Sequence, residues 1–422
     1  MRRYATATNI VLFLLCVMYL ITYIDRVNIS TAAAEIRKEF ELNNTQLGLI
    51  FSAFAYPYAV FQIIGGWVGD RFGPRRTLFA CGLIWAVATI LTGLSSGLIS
   101  LFLFRVMLGF GEGATFPTAT RAMQYWTPAG RRGFAQGITH SFARFGNAVT
   151  PPLVAWLMAL YTWRGSFVIL GSLSLIWVFV WLWYFRDEPK EHSGITPEEL
   201  AVLPARSPAA TAPQVPWGRL VPRILPVTLV YFCYGWTLWL FLSWIPQFFI
   251  NSYKLDVKQS AIFSFGVFLA GVVGDTLGGV VSDWLYHKTG NVRLARLTVI
   301  LVGFIGAFAS LLPMLYIHDL NTIAFCLASG FFFAELIIGP IWSIPMDIAP
   351  KYSGTGSGIM NTGSAIAAII SPVLAGVLID KTGNWELPFI VTMGVLVLGA
   401  ALAFTMRPDR PLEEAVGAAP GR

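Results

Sequence analysis

Apolar runs of about twenty residues recur along the whole chain, and their length constrains the fold more than any motif does. A helix rises about 1.5 Å per residue, so such a run spans a hydrocarbon core of about 30 Å. Six runs fall near residues 10–30, 45–69, 77–95, 98–121, 133–160 and 165–185, and six more near 224–250, 259–286, 295–316, 321–346, 355–380 and 386–406. Between the two groups, residues 186–222 gain charge and carry seven prolines among Ser, Ala and Thr, which cannot build a packed membrane helix. The sequence therefore predicts an all-α membrane protein of twelve transmembrane helices in two six-helix halves. The boundaries expected are a first half at 1–185, a cytoplasmic linker at 186–222, a second half at 223–406 and a tail at 407–422. Composition points the same way, because 56% apolar and only 12% charged residues leave a water-facing surface short of charge.

The formal net charge of +7 raises the question of a nucleic-acid partner, but no basic helix or basic-aromatic module is present, and none is expected to bind. The positive charges sit mostly in loops on one side. Arg37, Lys38, Arg164, Lys254, Lys258 and Lys381 are the minority on the other. This bias places both termini in the cytoplasm. Cys16, Cys81, Cys233 and Cys326 each lie alone in an apolar run, so neither a disulfide framework nor a metal site is indicated. The first run lacks a small-residue cleavage pattern and ends on Asp25 and Arg26, which marks it as a retained helix.

The halves are related. Gly65-Gly66-Trp67-Val68-Gly69-Asp70 returns as Gly278-Gly279-Val280-Val281-Ser282-Asp283, while Pro128 matches Pro350, Gly137 matches Gly358, Thr150-Pro151 matches Ser371-Pro372 and Trp163 matches Trp385. Ordered landmarks of this kind predict parallel repeats about an axis along the membrane normal, with the substrate between them near mid-membrane.

Gly66-x-x-x-Asp70-Arg71-x-Gly73-x-Arg75-Arg76, between the second and third runs, resembles the loop signature of the major facilitator superfamily. Within that superfamily the chain is similar to the anion:cation symporter family, which includes bacterial sugar-acid and aromatic-acid carriers. The resemblance covers about Ile10 to Met406 and rests on Tyr23-Ile24-Asp25-Arg26-Val27-Asn28, on Arg105 and Glu112 within a glycine-rich fourth helix, and on Asn361 ahead of Ser371-Pro372. It implies the major facilitator fold and proton-driven uptake of an organic anion, with Asp25 and Glu112 taking protons and with Arg26, Tyr58 and Asn361 near substrate. It also implies a multi-pass protein of the plasma membrane, here a bacterial inner membrane, that needs no cofactor and works as a monomer. One departure concerns the fifth helix, where sugar-acid carriers can present a glutamine and this chain reads Ala143-Arg144. A second cation there favours a diacid or an aromatic carboxylate over an aldonate, unless Arg144 pairs with Asp25 or Glu112.

The residues carry their own argument. A charge at mid-bilayer costs at least about 2.5 kcal/mol, so Asp25, Arg26, Arg105, Glu112, Arg144 and Glu335 need partners or water. Tyr19, Tyr23 and Arg26 follow at i, i+4 and i+7, placing two phenols and a guanidinium on one face suited to a carboxylate, while Asp25 points about 100° away. Arg105 and Glu112 lie two turns apart, so ionised Glu112 is expected to hold Arg105 and protonated Glu112 to release it to substrate. The competing reading of both pairs is permanent helix packing. His140, Arg144 and Asn147 repeat the same spacing on the fifth helix. Glu335, Gly339 and Trp342 share a face of the tenth, where Pro340 and Pro345 are expected to interrupt the helix. Glu335 and His140 are thus candidate pathway residues, either of which would otherwise serve a local polar contact. Asp275 shows no legible role, and Tyr231, Tyr234 and Trp236 read as packing aromatics. The loop cluster of Gly66, Asp70, Arg71, Gly73, Arg75 and Arg76, with Asp283 in the second half, is expected to make and break ion pairs as the halves rock, its alternative being a fixed topological anchor. Uncoupled exchange of an organic anion is the second functional reading. The chain has no HExxH, Walker-type loop or nucleophile elbow, so neither an enzyme nor a sensor is expected.

Overall fold

The computed structural model describes residues 6–128, 132–203, 215–349 and 353–412. In the first half α1 (Ala7–Phe40) makes the first crossing, α2 (Asn44–Ala53) and α3 (Ala55–Phe72) share the second, and α4 (Pro74–Gly93) makes the third. The fourth crossing joins α5 (Leu98–Gly113) to α6 (Thr115–Trp126), and α7 (Arg132–Leu160) and α8 (Trp163–Tyr184) complete the half. The short α9 (Pro197–Val202) lies in the linker, after a 3-10 turn at Pro189–Glu191. The second half runs through α10 (Trp217–Tyr253), α11 (Val257–Thr289), α12 (Val292–Leu311), α13 (Leu320–Glu335) with α14 (Ile338–Ile348), α15 (Ser353–Thr382) and α16 (Leu387–Ala403). The protein is thus all-α, with twelve crossings in two six-helix halves. The helix α10 begins at Trp217 and carries Pro222 inside it, so helical structure starts ahead of the proline that ends the linker composition.

Three crossings are split in two, and proline explains each split. The breaks fall at Phe54, Ala114 and Leu336–Ile337, each just before Pro57, Pro117 or Pro340. Proline donates no N–H, and its ring clashes with the carbonyl four residues back, which here belongs to Ala53, Gly113 and Leu336. Pro345, by contrast, is carried within α14 without a break, against the interruption expected there. The breaks put Glu112 and Glu335 at the ends of α5 and α13, close to the middle of their crossings.

Glycines set how near the neighbouring helices come. A methyl group at Gly109 would lie 1.9 Å from the Phe54 carbonyl oxygen, and one at Gly278 would lie 2.1 Å from that of Leu336. The second and fourth crossings therefore touch at backbone distance in one half, as the eighth and tenth do in the other. The outer surface is apolar: Phe13, Ile99, Trp183 and Phe325 are largely exposed, as side chains facing lipid should be.

At the end of the bundle away from the termini, the halves are sealed together. The Asp380 carboxylate, at the end of α15, accepts from the backbone N–H groups of Asn44 at 3.0 Å and Thr45 at 2.6 Å, and from both of their side chains. An anion thus caps the first turn of α2, where the helix dipole favours it. Arg37 donates to Asn251 at 3.1 Å, and Gln247 donates to the Ser30 carbonyl at 3.2 Å.

At the opposite end the linker folds back on the first half. Thr196 and Glu199 form a capping box on α9, and Glu199 also accepts from the Thr8 N–H at 3.0 Å and from its hydroxyl at 2.8 Å. Partial burial opposes ionisation of Glu199, but these hydrogen bonds outweigh it and hold the carboxyl below its usual range.

Candidate functional site

The charged residues of the first half meet where α1, the α2–α3 break, α5 and α6 converge. Arg26 is buried, and its Nε donates to Glu112 Oε2 at 2.5 Å. Aromatic rings enclose the guanidinium: its carbon lies 4.7 Å from the Tyr23 ring, 4.8 Å from Tyr58, 5.1 Å from Phe116 and 5.5 Å from Phe54. The one-face spacing of Tyr19, Tyr23 and Arg26 therefore does bring a phenol and the guanidinium together. Tyr19 itself packs against Phe116 and His140.

The partner of Glu112 differs from the one expected. Arg105 shares its helix face, but Arg105 Nη1 donates to the Asp25 backbone carbonyl at 3.0 Å, and Glu112 is bonded by Arg26 of α1. The gate predicted between Glu112 and Arg105 is corrected accordingly. The reason is geometric: residues two turns apart are about 10 Å apart along the axis, whereas α1 presents Arg26 directly opposite. Asp25, on the other face of α1, accepts from the Ser174 hydroxyl of α8 at 3.2 Å.

Arg144 pairs neither with Asp25 nor with Glu112. It reaches across to the second half, where its Nε stands 3.1 Å from Glu335 Oε2 and 3.2 Å from Asp275 Oδ2. The Tyr234 hydroxyl, also of the second half, lies 3.0 and 3.1 Å from the two Glu335 oxygens. Asp275 and Tyr234 thus belong to a buried charged cluster that spacing on one helix did not reveal. The internal repeat carries a signal for it, since Glu335 follows Glu112 by nearly the same interval as Pro350 follows Pro128 and Trp385 follows Trp163, which makes the two glutamates counterparts. His140 lies between Tyr19 of α1 and Trp342 of α14, with ring centroids 5.5 and 5.8 Å away. Asn361 donates to Gln62 at 2.6 Å, another link between halves, to a glutamine that sequence reasoning passed over.

Among the described residues several buried polar atoms here have no hydrogen-bond partner: the donors Arg26 Nη2, Arg105 Nε and Arg144 Nη1, both ends of the Asn147 amide, and the acceptors Asp25 Oδ1 and Glu112 Oε1. Unpaired buried donors are rare in folded proteins and suit a site that receives an anion. An apolar groove of about 420 Å³ among α3, α4 and α5, lined by Phe61, Cys81, Met107 and Phe110, lies apart from these charges and offers none of their chemistry. Among the described residues no cluster of metal-ligating side chains occurs.

The loop between α3 and α4 is tied within its own half. Gly73 turns at φ 80°, and a methyl group there would meet the Asp187 carboxylate at 2.7 Å. Arg75 is held within the first half: its N–H donates to Asp187 and its guanidinium to the Leu182 carbonyl. Arg71 lies over the Phe72 ring, and Arg76 is exposed. Gly66 and Asp70 fall within α3, and the Asp70 side chain lies outside what is described. In the second half Asp283 pairs with Arg296 at 2.9 Å, and Arg296 also meets Asp347 at 3.2 Å.

A chain that builds two related six-helix halves and gathers its buried charge where they meet is a polytopic membrane transporter rather than an enzyme. Residues 15–372 match the model of the Major Facilitator Superfamily, and the chain belongs to that superfamily. It is 47% identical to the probable sulfoacetate transporter SauU of Cupriavidus necator, with 98% of each chain covered. It is 30% identical to the hexuronate transporter of Bacillus subtilis, over 93% of this chain and 92% of the relative, and 30% identical to a D-galactonate transporter of Escherichia coli, over 96% and 95%. A bacterial homologue of the human lysosomal transporter Spinster, solved inward-facing and unoccupied, shares the fold with a TM-score of 0.78 at 19% identity, over 95% of this chain and 97% of that one.

Proposed function

We propose that this protein is a secondary active transporter that takes up a small organic anion together with protons by alternating access. The single observation that carries the reading is the Arg26–Glu112 pair, a guanidinium caged by aromatic rings and held by one buried carboxylate. Ionised, Glu112 occupies Arg26; once protonated, it frees the fork for a substrate carboxylate or sulfonate. Substrate and proton then enter together, because binding either one favours the other. In this scheme Arg26, Tyr23, Tyr58, Arg105, Arg144 and Asn361 bind substrate, and Asp25 and Glu112 take protons. His140 and Glu335 line the route. Gly66, Asp70, Arg71, Gly73, Arg75, Arg76 and Asp283 belong to the cytoplasmic loops on which the halves pivot.

The similarity to a sulfoacetate carrier supports a short acid bearing a sulfonate or carboxylate, ahead of an aromatic acid or a sugar acid. The halves 1–185 and 223–406 are the bodies that move, joined by the linker 186–222 and followed by the tail 407–422. The protein works as a monomer in a bacterial inner membrane with both termini in the cytoplasm. The test is uptake of radiolabelled sulfoacetate, malonate and galactonate into proteoliposomes with and without an inward proton gradient. Gradient-dependent accumulation of at least one of the three is expected. Equal, gradient-independent equilibration would leave uncoupled exchange as the function.

A further inference from the structure

Arg144 belongs to the first half, while both carboxylates that hold it belong to the second. Asp275 comes from α11 and Glu335 from the end of α13, and each places an oxygen within 3.2 Å of the same Nε. The Tyr234 hydroxyl of α10 closes the group against Glu335. This buried ion pair therefore crosses the plane along which the halves must separate. An internal comparison sharpens the point. Glu112, at the matching break of the first half, is held by an arginine of its own half, so the first cluster can remain intact as the halves rock and the second cannot.

Charge counting adds to this. The first cluster holds Arg26 and Arg105 against Asp25 and Glu112 and balances. The second holds Arg144 against two acids and carries one acid too many. The other titratable groups facing Arg144 and its acids are Tyr23 of α1, His140 of α7, and Tyr231 and Tyr234 of α10. From α12, which packs against α11 and α13, Arg296 is engaged with Asp283 and Asp347 and Arg293 with the Phe404 carbonyl. No second cation reaches the acid pair from the residues described.

The two clusters are close neighbours. The Tyr23 ring lies 4.7 Å from the Arg26 guanidinium carbon and 5.6 Å from that of Arg144. The two cations therefore stand at most about 10 Å apart, and each has a buried N–H without a partner among the described residues. An acid carbon or sulfur in a fork-to-fork contact sits about 4 Å from the guanidinium carbon, which leaves about 2 Å between two anionic centres lying on the line between the cations and somewhat more for centres off that line. That is the span of one or two carbon atoms.

Resting on the organic-anion reading above, we infer that Arg144 is a second anion subsite that selects short dianions, and that Asp275 and Glu335 form the inter-half lock which a substrate's second acid group must displace. A proton taken from solvent onto an oxygen of the acid pair weakens its hold on Arg144, and the distal carboxylate or sulfonate of the substrate takes the place vacated. Both requirements, a proton and a second negative charge, then have to be met before the halves can part. A monoanion fills Arg26 and leaves the lock closed.

The experiment compares proteoliposome uptake of radiolabelled sulfoacetate, a dianion, with that of radiolabelled methanesulfonate, its monoanionic counterpart. The wild-type protein is expected to favour the dianion at least tenfold in initial rate, and Arg144→Gln to reduce that ratio to near one. An unchanged ratio in Arg144→Gln overturns the inference while leaving organic-anion transport intact, whereas failure of the wild type to carry sulfoacetate, malonate and galactonate alike removes the underlying reading as well. If Arg144→Gln does not insert, Arg144→Lys keeps the charge without the fork and is expected to lower the ratio at least threefold; no change again overturns the subsite. Sulfoacetate binding, followed by intrinsic tryptophan fluorescence, supplies the test of the lock. Wild-type affinity is expected to weaken as pH rises, and the double variant Asp275→Asn/Glu335→Gln to lose a large part of that dependence. A double variant with the full wild-type pH profile refutes the lock.

Discussion

Arg26 is gripped by one carboxylate and four aromatic rings, so its contribution depends on the planar fork as much as on the charge. Lysine offers a point charge that cannot engage an acid bidentately or lie flat on Tyr23 and Tyr58. Arg26→Lys is therefore expected to lower substrate uptake by an order of magnitude or more at normal surface expression, and near-wild-type uptake would remove Arg26 from the site. Glu112→Gln mimics the protonated acid and leaves Arg26 free. It should retain counterflow, in which labelled and unlabelled anion exchange without net proton movement, while losing accumulation driven by a proton gradient. Both activities are read in one set of proteoliposomes, and loss of counterflow equal to loss of accumulation would make Glu112 a structural or binding residue. The sequence disclosed the residues of this cluster but not their partners. Spacing along one helix says which side chains share a face; it placed Arg26 beside Tyr23, and it placed Arg105 on the face of Glu112. It says nothing about which neighbouring helix comes opposite, and that is why the Arg26–Glu112 pair and the reach of Arg144 to Asp275 emerged only with the fold.

Helices here are shaped by prolines that break them and glycines that let them touch. Gly109 sits against the Phe54 carbonyl, at the break that also positions Phe54 between the Arg26 and Arg105 guanidiniums. An added methyl group has to push backbone rather than a flexible side chain, so Gly109→Ala is expected to destabilise the protein by about 1–3 kcal/mol. Gly266 of α11 has open space around it, and Gly266→Ala should be close to neutral. Thermal unfolding in detergent compares the two, and equal midpoints would show that the close crossing does not matter. The linker helix α9 adds a pH-dependent contact. Glu199 ionises more readily folded than unfolded, so its stabilisation is present above the ordinary glutamate range of about 4.3 and is lost as pH falls through the lowered value. The unfolding midpoint of Glu199→Gln should fall below that of the wild type near neutrality and converge with it in acid. Run lengths made the crossings legible and Pro340 marked one break, while the breaks before Pro57 and Pro117 emerged only with the fold, and Pro345 and Pro222 show that a proline alone does not say whether a helix stops. The outcome depends on whether neighbouring groups satisfy the freed carbonyl.

At the scale of the whole molecule, the end away from the termini is closed by polar contacts between the halves, and under alternating access those contacts must be weak enough to open. The Asp380 carboxylate on the first turn of α2 combines a helix-dipole interaction with four hydrogen bonds, yet it lies at an exposed end, where solvent competes for every one of them. Such a contact is well suited to a latch: strong enough to bias a population, too weak to fix it. Asp380→Asn removes the charge but keeps the size, and it turns one acceptor oxygen into a donor facing the N–H groups of Asn44 and Thr45. The closed arrangement should lose about 1–2 kcal/mol relative to the open one, a shift of roughly five- to thirtyfold in their ratio. Spin labels at Lys38→Cys and Ser252→Cys, exposed positions on the two halves at this end, report the change as an inter-label distance in a background without native cysteines. Asp380→Asn should enrich the longer-distance population, and substrate added at low pH should act on the same equilibrium through the buried clusters. A distance distribution identical to that of the unmutated pair would mean that apolar packing between α2 and α15, with Gly48 against Pro372 and Gly376 against Asn44, holds this end shut without help from Asp380.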